Sequence, residues 1–312
     1  MIVRPLLLLI TGSLDGTSDR IVARYGAGVF RINYDLWRDY SFSYTPEFWK
    51  IVSPSGLEIT SKTASAVFWW KAFSYHLSDD KLITSEVKYI LRDLYGWFST
   101  RGMAKGNDID FHNRWGKINI LSRAKQYFSI PKTLVSIGLC DTNVLSGDRA
   151  VAKSLASQTS GDGLVLMTTG VTVSLLDKQY PWYLQDQIDS AWDVTVFQCG
   201  SAFYGFKRSR KGLVGLDWRV AQNFDYSQQE WFLFNLTVAQ HERLLSLSAE
   251  LGVEIGRYDF MTLGDSSEEL VFLEFNATGQ WVFLDIKDEF GLLDTFVNWL
   301  KRPNTRVSGK LN

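Results

Sequence analysis

Thiols are scarce: the 312 residues include only Cys140 and Cys199. Two cysteines this far apart in so long a chain do not make a disulfide scaffold, which fits a reducing, cytoplasmic setting. Imidazoles are as few. His76, His112 and His241 lie scattered without recognisable partners, so no Ser-His-Asp or Cys-His set for nucleophilic catalysis is evident. Excess charge is missing too. Lys and Arg number 33 and Asp and Glu 34, a formal net charge of −1, which argues against the basic face that non-specific nucleic-acid binding needs. No apolar run approaches the roughly 20 residues of a membrane span. The opening MIVRPLLLLITGS has a basic residue before an apolar stretch, as signal peptides do, but the stretch is short and no small-residue cleavage site closes it. A buried first strand of an α/β domain accounts for it better. Neither GxGxxG nor GxxxxGK(S/T) occurs, so the familiar phosphate-cradling loops are absent.

What is present is apolar and aromatic. Hydrophobic residues make up 46% and charged ones 21%, ordinary for a globular protein, while 12 Trp and 20 Phe suggest well-packed cores or aromatic-lined clefts. A chain of 312 residues exceeds what one hydrophobic core usually serves, so two or three subdomains are expected. Leu6–Ile10 is continuously apolar and reads as a fully buried strand. Thr11–Asp19 is a Gly/Ser/Asp-rich turn leading to a helix near Ser18. Val29–Tyr34 is the next strand, Phe48–Val52 and Glu58–Thr60 flank a hairpin turn, Ala66–Phe73 is a further strand, and Leu82–Ser99 has helical spacing. Gly102–Asp110 is a polar connector. Beyond it come a helix over Lys117–Tyr127, a strand TLVSI, and a strand Arg149–Leu155 carrying Lys153. An ammonium in a small apolar strand needs an anionic partner. Ser157–Gly163 is a small, glycine-containing loop of the kind that covers phosphates or merely links two strands. Glu230–Leu251 reads as one long helix and Leu292–Leu300 as a C-terminal one.

The organising stretch is Val271–Leu284, VFLEFNATGQWVFL. It reads as a strand that sets Glu274 and Asn276 two apart, on one face, before a turn at Thr278-Gly279. Glu254–Leu263 reads as another strand, carrying Asp259. A hairpin turning at Ser266-Ser267 pairs 263 with 270, 261 with 272 and 259 with 274. That register sets Asp259 opposite Glu274, at roughly 5 Å between Cβ atoms. Like charges there are costly unless a cation lies between them, and hard divalent cations want this oxygen-donor set. A chance Glu-x-Asn pair on a strand is the other reading of these residues.

FLEFNATGQW resembles the C-terminal motif of ATP-grasp ligases, most closely the version LE-x-N-x-x-GQW of the branch that cross-links ribosomal peptides, the microviridin-type or graspetide maturases. Ala277 stands where that branch usually has Pro. The resemblance implies that Asp259, Glu274 and Asn276 hold the Mg²⁺ ions bound to ATP. It extends in order along nearly the whole chain. K-x₆-A-x₅-IPKTLVS is similar to a segment whose lysine contacts ATP phosphates, which falls on Lys117, although Gly116 replaces the preceding Asn. Lys153 matches the second phosphate-binding lysine. WYLQDQI resembles the hinge that holds the nucleoside, with Gln185, Asp186 and Ile188 at the matching positions. Asp193-Val194-Thr195 follows where many ATP-grasp enzymes have D/E-x-R, so Thr195 replaces a phosphate-contacting or acyl-phosphate-contacting arginine. Lys207 and Arg208, on the returning strand AFYGFKR, are candidates to restore that charge. Asp217-Trp218-Arg219 matches the DWR of the peptide-ligase branch and makes Arg219 a candidate for stabilising the acyl phosphate. Trp70-Lys71-Ala72 lacks the arginines of the branch's SAVWYRR strand.

The resemblance implies an α/β chain of α+β subdomains with the ATP-grasp fold. An N-terminal open α/β domain covers 1–110, a central lid subdomain 111–184, a C-terminal antiparallel-sheet subdomain with the metal site 185–303, and a tail 304–312. The implied function is an ADP-forming carboxylate ligase using ATP and Mg²⁺, which joins an acyl phosphate to an amine or hydroxyl on a ribosomal precursor peptide. The expected partner is that peptide, with no nucleic acid or membrane, and a homodimer is left open. Two other readings stand beside it. One is ligation of free amino acids or another small carboxylate; the other is a nucleotide- or peptide-binding module without turnover, motivated by Thr195 and the missing strand arginines.

Overall fold

The computed structural model describes residues 6–72, 76–155, 168–213, 216, 231–264 and 269–303. The chain divides into two compact units, Met1–Phe111 with Thr278–Asn312, and His112–Ala277. Among the described residues, no helix is long and apolar enough to cross a membrane.

The first unit is built on β1 (Leu6–Thr11), whose residues Leu7 to Ile10 are fully buried. An unbroken apolar run suits a strand covered on both faces, the usual state of a parallel strand. Asp15 accepts from the backbone N–H of Ser18 at 2.7 Å and caps α1 (Gly16–Tyr25), which starts the helix two residues before the expected Ser18. Next come β2 (Val29–Asn33), β3 (Ser41–Tyr44), β4 (Trp49–Val52), β5 (Glu58–Thr60), β6 (Ala64–Trp69), α2 (Lys81–Ser99) and the two-residue β7 (Ala104–Lys105). Strands β2, β1, β6 and β7 form a parallel sheet in that order, while β3, β4 and β5 form an antiparallel meander whose first strand the sequence did not suggest. Trp49 lies 5.5 Å from both Trp97 and Phe98 of α2, so the tryptophan surplus fills this core. The GQW segment also serves this unit: Gln280 donates to the buried Asp15 at 3.2 Å, and Trp281 packs 5.2 Å from Phe296 on the C-terminal helix Leu292–Lys301.

The second unit begins at His112, within the short α3 (Phe111–Arg114), which is followed by α4 (Lys117–Ala124). Strands β8 (Thr133–Ser136), β9 (Arg149–Lys153), β10 (Thr169–Thr172) and β11 (Trp182–Gln185) make one antiparallel sheet, ordered β10-β9-β11-β8. A second sheet contains β12 (Trp192–Cys199), β13 (Ala202–Ser209), β14 (Phe232–Phe234), β15 (Ile255–Thr262) and β16 (Leu270–Asn276), in the order β14-β13-β12-β15-β16, with α5 (Val238–Leu251) joining β14 to β15. The single helix expected over Glu230–Leu251 is therefore a short strand and a shorter helix. The break has a local cause: Thr237 and Gln240 form a reciprocal capping box that fixes the helix start at Val238. Phe232 lies on an edge strand, paired to Lys207, and not on a helix face.

The five-stranded sheet has two unlike faces. Along β15, Tyr258 and Phe260 are buried, whereas Arg257, Asp259 and Met261 alternate with them and are half-buried. On the buried face Tyr258 donates to Gln198 at 2.7 Å, and Gln198 donates to Ser248 of α5 at 2.6 Å, tying helix to sheet. Gly256 allows this packing at its edge. Its φ is +155°, and an added Cβ would lie 2.4 Å from the Phe275 ring. Gly256→Ala is therefore expected to lower stability by about 1–3 kcal/mol, the range for strained or overpacked sites. A thermal melt checks it.

Candidate active site

The polar face of this sheet gathers the site. Direct cross-strand partners share a face, so three rungs can be read from the pairing. Arg208, Asp193 and Met261 form one; Phe206, Thr195, Asp259 and Glu274 the next; Tyr204, Phe197, Arg257 and Asn276 the third. Asp259 does stand opposite Glu274. Beyond that rung the expected register slips by one, because Phe260 pairs with Phe272 and Met261 with Val271. The irregularity between Asp259 and Phe260 absorbs Leu273 as an extra residue.

Hydrogen bonds knit the rungs. The Asn276 amide donates to Asp259 at 2.9 Å and to Glu274 at 3.1 Å. Arg257 grips Asp259 with two bonds of 3.0 Å, and Thr195 Oγ1 donates to the same carboxylate at 2.8 Å. Lys117, at the first position of α4, donates to the Ser154 carbonyl at 2.8 Å and comes within 3.5 Å of Glu274. Burial opposes ionisation of Glu274, but Lys117, Lys153, the Asn276 amide and Arg257 together hold its carboxyl below the usual range. Lys153 ends β9 opposite Tyr183, whose phenol is pushed up by burial and by the Glu274 charge. Both side chains thus belong to the Glu274 neighbourhood.

Other expected residues are less tightly gathered. Gln185 is buried opposite Val151 and donates to Thr133 at 3.0 Å, while its side-chain oxygen finds no partner among the described residues. Asp186 accepts from the Ser146 backbone at 2.9 Å and from its hydroxyl at 2.5 Å, so it fastens a loop. Ile188 is half-buried in the segment after β11. Asp193 pairs with Arg210 at 2.6 Å; burial raises its pKa, and Arg210 and Arg208 oppose that shift. Lys207 pairs with the buried Val194 and lies 4.6 Å over the Trp192 ring, on the sheet's other face from Asp259. Arg208, opposite Asp193, is on the site's face. Arg219, with the rest of Asp217-Trp218-Arg219, lies outside the described residues, as does Ser157–Gly163. The sequence reading missed Arg257, Tyr183 and Arg210. Arg257 and Tyr183 each lie two residues from a residue it had chosen, so strand period alone would have brought them onto the same faces.

Cations here outnumber carboxylates: Lys117, Lys153, Arg208, Arg210 and Arg257 stand against Asp193, Asp259 and Glu274, a balance suited to an anionic ligand. The donor set also fits a hard divalent cation. Among the described residues no group of three or more His, Cys, Asp or Glu side chains gathers to hold a metal. Two carboxylates and a carboxamide remain, which suits Mg²⁺, since it keeps several waters and takes only one or two carboxylates beside substrate phosphates. A half-turn of the Asn276 amide presents its oxygen in place of its nitrogen.

Searches against family models and curated proteins give no match. Solved structures do match. A RiPP-associated ATP-grasp ligase from Chryseobacterium gregarium, in complex with ADP and a leader and core peptide, superposes with a TM-score of 0.79 at 20% identity, covering 97% of this chain and 99% of that one. The macrocyclase MdnC of Microcystis aeruginosa, bound with the precursor peptide MdnA, gives 0.76 at 20% identity over 95% and 99%. The ATP-grasp ligase PsnB, complexed with a minimal precursor variant, Mg and ADP, gives 0.69 at 10% identity over 96% and 98%. The superposition over nearly the full length shows that the chain has the fold of the ATP-grasp ligases.

Proposed function

We propose that this protein is an ATP-dependent carboxylate ligase acting on a ribosomal precursor peptide and releasing ADP. The observation that carries the reading is the Asp259–Glu274–Asn276 cluster with Lys117 and Lys153 beside it, within a fold shared along the whole chain with peptide-bound ligases. In this reading a substrate carboxylate oxygen attacks the γ-phosphorus and ADP leaves, giving an acyl phosphate. An amine or hydroxyl of the peptide then attacks the acyl carbon, loses its proton and expels phosphate, leaving an amide or ester. When bound, Mg²⁺ neutralises charge on the phosphate oxygens. Asp259, Glu274 and Asn276 would hold it, while Lys117 and Lys153 offset the remaining phosphate charge. Gln185, Asp186 and Ile188 line the nucleoside end, and Asp193 positions Arg208 and Arg210. Such transfers depend on positioning and charge neutralisation, so no dedicated nucleophile is required.

The three-part division of the chain and the role of Arg219 at the acyl phosphate belong to the same proposal, and its need for ATP suits the cytoplasm. The test is Mg²⁺-dependent ADP release measured with and without a candidate precursor peptide. Peptide-stimulated release supports the reading. Release stimulated instead by free amino acids would move the substrate class, and nucleotide binding without release would make the protein a binding module.

The pairing of Arg208 with Asp193 and of Lys207 with Val194 favours Arg208 as the replacement for the arginine absent at 195. Arg208→Ala is expected to lower turnover by about tenfold, the step corresponding to 1.4 kcal/mol. Lys207→Ala, which removes a residue facing away from the site, should stay within about twofold. Steady-state ADP release for both variants decides it.

A further inference from the structure

Tyr183 has no part in the mechanism above, yet it stands beside residues that carry it. On β11 it pairs with Lys153 on one side and Val135 on the other, so the three side chains share a face of the β10-β9-β11-β8 sheet. Ser154, the residue after Lys153, accepts from Lys117 at 2.8 Å, and Lys117 comes within 3.5 Å of Glu274. The phenol is thus set against a cluster of two ammonium groups and a carboxylate. Tyr183 is only 4% exposed, and among the described residues its hydroxyl has no hydrogen-bond partner. Buried tyrosine hydroxyls ordinarily find one. Resting on the ligase reading, we propose that the Tyr183 hydroxyl donates a hydrogen bond to a phosphate oxygen of the nucleotide, beside the Lys153 ammonium. Burial and the Glu274 charge both push the phenol's pKa up, so it keeps the proton that a donor needs. Two residues on, the unpartnered Gln185 oxygen is an acceptor, which an ionised phosphate cannot satisfy, so the anion belongs at the Tyr183 end of the strand.

Tyr183→Phe removes the hydroxyl and keeps the ring, so the variant isolates one donor. In calorimetric titrations it is expected to weaken ATP at least about fivefold, as the loss of a hydrogen bond to a charged group does. Adenosine has no phosphate and should stay within about twofold. Thermal melts supply a readout of opposite sign. A buried hydroxyl without a partner opposes folding, so without nucleotide the variant should melt at the parent's temperature or above it. The rise in Tm caused by a fixed concentration of ATP should nevertheless be smaller than the parent's. A hydroxyl that merely braced the sheet would act in reverse, lowering the melting temperature and weakening both ligands alike. Unchanged ATP affinity, or equal losses for ATP and adenosine, would overturn the inference. Lys153→Ala serves as the parallel control. If it weakens ATP while Tyr183→Phe does not, only the role of Tyr183 fails; if neither weakens ATP, the placement of the phosphates in the ligase reading fails and the inference falls with it.

Discussion

Glu274→Gln is expected to reduce Mg²⁺-dependent ATP turnover at least about tenfold, the factor that 1.4 kcal/mol of lost transition-state stabilisation gives. The substitution is nearly isosteric, so it isolates charge. Glu274 faces Asp259 across β15 and β16 and is kept ionised against its burial by Lys117, Lys153, the Asn276 amide and Arg257. A glutamine oxygen can still accept from Asn276, so the local hydrogen bonding survives. What disappears is one of two negative charges available to a hard cation, which weakens the site for Mg²⁺ and raises the concentration needed. Lys117, 3.5 Å from the carboxylate, also loses its counter-charge. ADP release measured over a series of Mg²⁺ concentrations reads both effects, and a thermal melt confirms the fold. Turnover equal to the parent's at every Mg²⁺ concentration would mean that these residues do not form the metal site.

Lys153→Ala is expected to weaken ATP by at least about tenfold, since hydrogen bonds to charged groups contribute roughly 1.5–3 kcal/mol. Adenosine should bind almost unchanged. The asymmetry follows from placement: Lys153 closes β9 opposite Tyr183, and its charge reaches the Glu274 carboxylate, which puts it beside the residues proposed to hold the phosphates and the cation. Gln185, two residues beyond Tyr183 on β11, lies farther along and opposite Val151. Calorimetric titration with ATP and with adenosine separates the two ends. Equal losses for both ligands would make Lys153 a structural residue of the β9–β11 pair.

The site's acidic cluster was legible because strand period is a local property. Glu274 and Asn276 share a face by spacing alone, and a short hairpin brings Asp259 across to Glu274. The slip beyond that rung was not legible, since a bulge that absorbs Leu273 leaves no mark in an apolar run. Choosing between Lys207 and Arg208 needed the pairing of β12 with β13. Cys199 pairs with Ala202, so Gly200 and Ser201 form a two-residue turn with Gly200 at φ +61°, which sets Arg208 opposite Asp193. The misread helix start had a local signal in Thr237 and Gln240, but the apolar residues upstream fitted either period. Strand β3 alternates weakly and is half exposed, so nothing in its sequence separated it from a loop. The candidates for the charge missing at 195 lie on β13, next along the chain, whereas the guanidinium beside Asp259 comes from β15, which pairs with β12 and follows the long connection by α5.

Intact-mass measurement on a candidate precursor peptide that stimulates ADP release, after incubation with the protein, ATP and Mg²⁺, tests the central claim most directly. Ligation of a side-chain carboxylate to an amine or hydroxyl within the peptide removes one water for each bond. The account predicts species lighter by whole multiples of water, which require ATP and vanish with Glu274→Gln. A peptide of unchanged mass, while the same preparation binds ATP and hydrolyses it, would contradict peptide ligation.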